Sequence, residues 1–366
     1  MEPLTLTRIE KGFQERLGQF EEYALLNPYE EEMMQVIAEL IESMLQGDVS
    51  SLSRLITIVE NDLVNIPELI RKIYGHLGNA YHIGITGPPG SGKSSLITKL
   101  ASLLRKEGGT IGVIACDPSS PISGGALLGD RIRMEPLFLD DKIFIRSMAT
   151  RGNLGGLPRK VHAVAQILDS FGKDIVLIET VGVGQTEIDV RGIADTTILV
   201  FTPIVGDYIQ AMKSGIIEVA DIFVINKIDL GEASVIEENI ASVLSMRIKP
   251  GNWKPPIIKV QATESIGIED TLNAIKIHRQ FLNETGLGSK HREQSRKQEF
   301  EQIMKEKLLK LVAECMERSK SYRAYLGRVE KGEINPYLAC EEMLADKEGW
   351  DAVLSQVWKE CEDPKL

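Results

Sequence analysis

From Ile9 to Leu77 apolar positions recur at helical spacing, as at Met33, Ile37, Ile41 and Met44, with few β-rich runs. This predicts an N-terminal helical region. Near Tyr81 the period changes. Short apolar runs then alternate with amphipathic stretches, and His82–Thr86, Thr110–Cys116, Ile143–Arg146, Asp174–Glu179, Thr196–Phe201, Ile222–Asn226 and Ile257–Val260 read as strands buried on both faces. Such alternation predicts an α/β fold with a mostly parallel sheet flanked by helices. After Thr285 the polar text G-L-G-S-K-H-R-E-Q-S-R-K-Q reads as a hinge, followed by a helical stripe at Phe300, Met304, Leu308, Leu311 and Val312. The expected organisation is a helical region over 1–80, a nucleotide-binding domain over 81–285 and a helical arm over 286–366. Such an arm packs on the main domain or on a second copy, since an apolar stripe buries against whatever is near.

Composition narrows the class. The chain is 366 residues long, 43% hydrophobic and 26% charged, as expected of a globular protein with a sizeable core. A formal net charge of -11 argues against nucleic acid as a partner. Cys116, Cys315, Cys340 and Cys361 are far apart and form no C-x-x-C pair, which fits a reducing compartment. No window reaches transmembrane length and Met1 to Phe13 lacks a signal-peptide core, so no membrane partner is expected. Cytoplasm is the expected location, or the mitochondrial matrix if a targeting segment was removed.

Chemistry enters at G-P-P-G-S-G-K-S, which fits G-x-x-x-x-G-K-[ST] between a predicted strand and a predicted helix. Gly87, Pro88, Pro89, Gly90, Ser91, Gly92, Lys93, Ser94 and Ser95 form the expected phosphate cradle, with backbone N–H groups and a helix N-terminus facing the anion. Lys93 is expected on the β- and γ-phosphates, and the Ser94 hydroxyl on Mg2+. Asn226-Lys227-Ile228-Asp229 matches N-K-x-D. The Asp229 carboxylate can accept from the ring N–H and the exocyclic amine of guanine, which adenine cannot offer, so GTP and GDP are the expected nucleotides. Asn226 would tie this loop to the cradle, and Gln261-Ala262-Thr263 occupies the place of a second base-contact loop.

Between cradle and base reader lie segments that a plain scaffold would not need. Asp117 closes a strand and Asp130 follows in L-G-D-R; both are candidates for Mg2+ or its waters, although Asp117 also suits a turn or helix cap. Glu179-Thr180-Val181-Gly182-Val183-Gly184-Gln185 closes the strand Asp174–Glu179. Glu179 fits a carboxylate acting through metal-bound water, and Gly182 a backbone N–H that senses the γ-phosphate. Gln185 could position the attacking water or meet a partner. Arg131, Arg133, Arg146 and Arg151 crowd the same stretch as candidates for charge stabilisation, and Thr202 to Gly215 reads equally as a bordering loop or a helix start.

Together these strings resemble the MeaB/ArgK-type GTPases associated with cobalamin-dependent mutases, the family of the methylmalonic aciduria type A protein. The carrying residues are the cradle from Gly87, D-P-S-S at Asp117, L-G-D-R-I-R-M up to Met134, F-I-R at Phe144, G-N-L-G-G-L at Gly152, E-T-V-G-V-G-Q at Glu179 and N-K-I-D at Asn226, continuing through W-K-P-P at Trp253 and H-R at His278. The resemblance implies a GTPase chaperone that gates adenosylcobalamin loading of an acyl-CoA mutase and helps remove damaged cofactor. It implies a homodimer formed through the C-terminal arm, and a cobalamin adenosyltransferase as a further partner. By position it makes Lys93, Ser94, Asp117, Asp130 and Glu179 phosphate and magnesium residues, and Arg131, Gly184 and Lys213 switch or signalling residues. No D-x-H-x-x-G string occurs, so adenosylcobalamin belongs to a mutase supplied in trans. Two rival readings are a nickel-type metallochaperone GTPase, for which His76, His82, His162, His278 and His291 are too dispersed, and a small-molecule kinase linked to amino-acid transport.

Overall fold

The computed structural model describes residues 28–61, 66–117, 134–149, 157–180, 190–203, 216–218, 220–231, 233–245 and 253–362. They fall into two compact units, divided between Lys276 and Ile277. The first is built on a seven-stranded sheet, with β1 (Tyr81–Thr86), β2 (Ile111–Asp117), β3 (Ile143–Ala149), β4 (Ile175–Glu179), β5 (Thr196–Phe201), β6 (Ile222–Asn226) and β7 (Ile257–Val260) in the order β3-β2-β4-β1-β5-β6-β7. Every pairing is parallel. All seven strands predicted from apolar runs are present, and β3 extends three residues past the expected Arg146.

The strands read as unbroken apolar runs because both faces are covered. On one face, α1 (Pro28–Leu45), α2 (Val49–Glu60), α3 (Ile66–Ile73) and α5 (Leu157–Ser170) share a core with the sheet, through Ile37, Leu55, Val164, Ile114 and Val176. The N-terminal helices therefore form a layer of the α/β unit. Further along the sheet, α6 (Ala233–Ser245) packs Ile236 and Ile240 on Phe201 and Phe223. On the other face, α4 (Lys93–Lys106) and the start of α7 (Ile268–Thr285) pack Leu96, Leu100 and Leu272 against Ile83, Ile85 and Val200.

Local chemistry explains the ends. The Asp48 carboxylate caps α2 by accepting from the backbone N–H groups of Ser50 and Ser51, at 3.2 and 2.8 Å. Hydrogen bonds from Ser51 hold that carboxyl below its ordinary pKa. Asp169 at the end of α5 accepts from the N–H groups of Gly78, Asn79 and Ala80, fixing the entry to β1.

The second unit contains the end of α7, then α8 (Leu287–Arg318), α9 (Lys320–Glu330), α10 (Pro336–Ala345) and α11 (Lys347–Glu362). The polar stretch after Thr285, expected to be a hinge, is instead the first turns of α8. Glu, Gln, Lys and Arg are good helix formers when solvated, and only Gly286, at φ 66°, breaks the helical path. The core of this unit is Leu311, Cys315, Val353 and Val357. Of the predicted stripe on α8, Leu311 is buried, whereas Phe300, Met304 and Leu308 are exposed.

Candidate nucleotide site

The predicted nucleotide residues that the structure describes gather at the C-terminal ends of β1, β4, β6 and β7, where a parallel sheet presents its ligand chemistry. Strand β1 ends at Thr86, and the loop from Gly87 turns into α4. Gly87, Gly90 and Gly92 all have positive φ, at 141°, 77° and 88°. At Gly87 a Cβ would lie 2.2 Å from the carbonyl oxygen of Val200, and at Gly92 one would lie 2.3 Å from the Asn226 amide nitrogen. Close backbone approach therefore demands glycine at both positions, which lets successive N–H groups point inward as an anion cradle.

Lys93 is buried, and its ammonium donates to the carbonyls of Gly87 at 2.8 Å and Pro88 at 3.1 Å. The cation is thereby held against the loop that would carry the phosphates. Ser94 donates its hydroxyl to Glu179 Oε1 at 2.7 Å, with both residues buried. This brings together two residues 85 positions apart that were assigned to magnesium on separate grounds. The pair supplies hard oxygen donors of the kind Mg2+ takes alongside phosphate oxygens and water, so the residues present fit that ion. Among the described residues no group of three or more His, Cys, Asp or Glu could hold a metal by protein ligands alone.

Asn226 connects three loops. Its side-chain amide donates to Ser91 O at 2.8 Å, and its Oδ1 accepts from the N–H of Ala262 at 3.1 Å. The base-reading strand end, the phosphate cradle and the Gln261–Thr263 segment are therefore one hydrogen-bonded assembly. Lys227 follows in the left-handed region, at φ 60° and ψ 46°, one of two non-glycine residues with positive φ among those described. Asp229 is exposed in the short helical turn Ile228–Leu230, free to meet a ligand edge.

Other assignments separate from this cluster. Arg146, a candidate for charge stabilisation, is engaged instead with Glu60 and with Thr57 Oγ1, tying β3 to α2. Asp117 closes β2 beside Ala149, and its side chain lies outside the described residues. So do Asp130, Arg131, Gly182, Gly184, Gln185 and Lys213. Two hydroxyls have no counterpart among the residues expected from the sequence. Thr180 Oγ1 donates to Thr86 Oγ1 at 2.8 Å, both in buried residues, and the visible signal was one threonine ending β1 and another directly after the Glu179 that ends β4.

Comparison with known proteins agrees with this geometry. The family model described as methylmalonyl-CoA mutase-associated GTPase MeaB matches residues 52–317. A putative GTPase of Pyrococcus abyssi is 45% identical over 314 residues, covering 85% of this chain and 97% of that protein. The GTPase ArgK of Escherichia coli is 32% identical over 310 residues, covering 82% of this chain and 93% of its own. A crystal structure of an LAO/AO transport system kinase superposes with a TM-score of 0.62 at 28% identity, covering 88% of this chain and 99% of that one. With a P-loop joined to a guanine-type box on a seven-stranded parallel sheet, the chain belongs to the MeaB family of mutase-associated GTPases.

Proposed function

We propose that this chain is a magnesium-dependent GTPase chaperone of an adenosylcobalamin-dependent acyl-CoA mutase, in which hydrolysis times cofactor loading and protects the mutase. The observation that supports the nucleotide half is the Asn226 bridge from Ser91 O to Ala262 N, which ties the base-reading strand end to the phosphate cradle. The mutase half rests on the family description, whose match spans both the cradle and the base reader.

In this reading Lys93 neutralises the β- and γ-phosphate oxygens and the cradle N–H groups hold them in place. Ser94 and Glu179 would hold Mg2+. When bound, that ion neutralises charge developing on the transferred phosphoryl group. Asp229 accepts from guanine and so excludes adenine nucleotides. The working form is a homodimer assembled through the C-terminal helices, because Phe300, Met304, Leu308 and Leu309 are exposed on α8. No described helix is long and apolar enough to cross a membrane; the wide spacing of the four cysteines supports a reducing compartment such as the cytoplasm.

The test is single-turnover GTP hydrolysis with and without a cobalamin-dependent acyl-CoA mutase. Acceleration by the mutase is expected, and an unchanged rate overturns the coupling. The alternative reading, a small-molecule kinase linked to amino-acid transport, predicts instead transfer of the γ-phosphate to a small-molecule acceptor; release of inorganic phosphate alone argues against it.

A further inference from the structure

Strands β1 and β4 are parallel neighbours with Ile85 opposite Glu179, so Thr86 and Thr180 fall side by side one step later. The backbone continues the ladder there, the N–H of Thr180 donating to Ile85 O at 3.1 Å. The side chains add a second link, Thr180 Oγ1 donating to Thr86 Oγ1 at 2.8 Å. Thr86 is wholly buried and Thr180 is 6% exposed, so water does not compete for either hydroxyl.

The location gives this pair its meaning. Thr86 immediately precedes Gly87, whose backbone is wedged against Val200, so the root of the phosphate loop cannot drift toward β5. Thr180 immediately follows Glu179, and side chains alternate along a strand. Glu179 therefore faces Ser94 at 2.7 Å while Thr180, on the opposite side, is held to Thr86. The end of β4 is fastened to the phosphate loop at both ends of that loop, by a carboxylate at one and a hydroxyl at the other.

We infer that Thr180, through its hydroxyl bond to Thr86, is a positioning residue for GTP hydrolysis that sets where the Glu179 carboxylate stands relative to Ser94 and the phosphate cradle. Ground-state phosphate binding depends on the loop N–H groups and on Lys93, whose ammonium rests on Gly87 O and Pro88 O, whereas the Thr180 hydroxyl is given to Thr86. Loss of the hydroxyl therefore acts on turnover rather than on affinity, because small displacements of a positioned group weigh heavily on the chemical step.

The test uses the full chain. Thr180→Val keeps the branched shape and the ladder N–H but removes the hydroxyl, and is expected to lower single-turnover kcat roughly ten- to a hundredfold. Affinity for a non-hydrolysable GTP analogue is expected to change by less than about threefold, and Thr180→Ser to restore kcat to within about threefold of the starting protein. Wild-type kcat in a folded Thr180→Val, an equally slow Thr180→Ser, or a parallel loss of affinity each overturns the inference. If Thr180→Val does not fold by circular dichroism, the double variant Thr86→Val/Thr180→Val replaces it, since removing both partners leaves no hydroxyl buried alone. Slow hydrolysis with intact analogue binding in that variant supports the positioning role, and wild-type hydrolysis overturns it.

Discussion

The α/β unit and the C-terminal helical unit differ in how large a core they build. In the first, strands such as β5 and β6 are buried along their whole length and the helices on both faces close over them. In the second, a core of Leu311, Cys315, Val353 and Val357 accompanies exposed Phe300, Leu309, Tyr337, Leu344 and Trp358. The large core of the first unit, which leaves Tyr74, Phe138 and Leu139 at the surface, can carry a rigid site, as the cradle and the Asn226 bridge require. The second unit, with its small core, leaves apolar side chains on its surface that a partner would cover in the proposed dimer.

The largest test addresses the rigid site itself. Lys93→Ala removes the buried ammonium that rests on Gly87 O and Pro88 O, and GTP hydrolysis should fall on the order of a thousandfold or more in single-turnover assays. Hydrolysis within tenfold of the parent would mean that the cradle is not the reaction site.

Next in size is a paired truncation across the two units. Leu100→Ala, in the α/β core, should cost about 2–5 kcal/mol in denaturant unfolding. Leu309→Ala, at a side chain 71% exposed, should cost less than about 0.5 kcal/mol while weakening self-association by light scattering. A large stability loss at Leu309 with unchanged association would erase the contrast. Asn226→Ala sharpens it from the site side, leaving Ser91 O and the Ala262 N–H without their partner. Calorimetry should show GTP affinity reduced roughly ten- to a hundredfold, the scale of an unpaired buried polar group.

A further test is a pH dependence that originates in the α/β unit. Asp221, at the start of β6, has its carboxyl pushed up to about 6, chiefly by burial and despite the Thr197 N–H and nearby Arg191. The folded state thus binds the proton more tightly than the unfolded chain. The stabilisation is full below about pH 4 and is lost as pH rises through about 6, at most about 3 kcal/mol in all. Asp221→Asn keeps an acceptor for the Thr197 N–H and should flatten stability against pH between about 4 and 6. An unchanged slope in thermal unfolding across that window would remove Asp221 as its source.

Much of the fold was legible because parallel strands buried on both faces leave long apolar runs, and the punctuation between them is strong. The cradle was legible for a related reason, since glycines with forced positive φ cannot be replaced and therefore stand out beside Lys93 and Ser94. The polar start of α8 misled, because charge and scattered glycine resemble a linker when the helix is solvated. Arg146 misled differently: its position among switch-like strings gave no hint that Glu60, 86 residues earlier, would claim it.

Element types and the two phosphate and base motifs were therefore set by the sequence alone, since periodicity and short motifs act within a few residues. Which side chains meet was decided only by the tertiary structure. Ser94 with Glu179, Thr86 with Thr180 and Ser91 with Asn226 stand 85, 94 and 135 positions apart. Their contact follows from β4 and β5 flanking β1 in one parallel register, with β6 beyond β5, and no local window contains strand order.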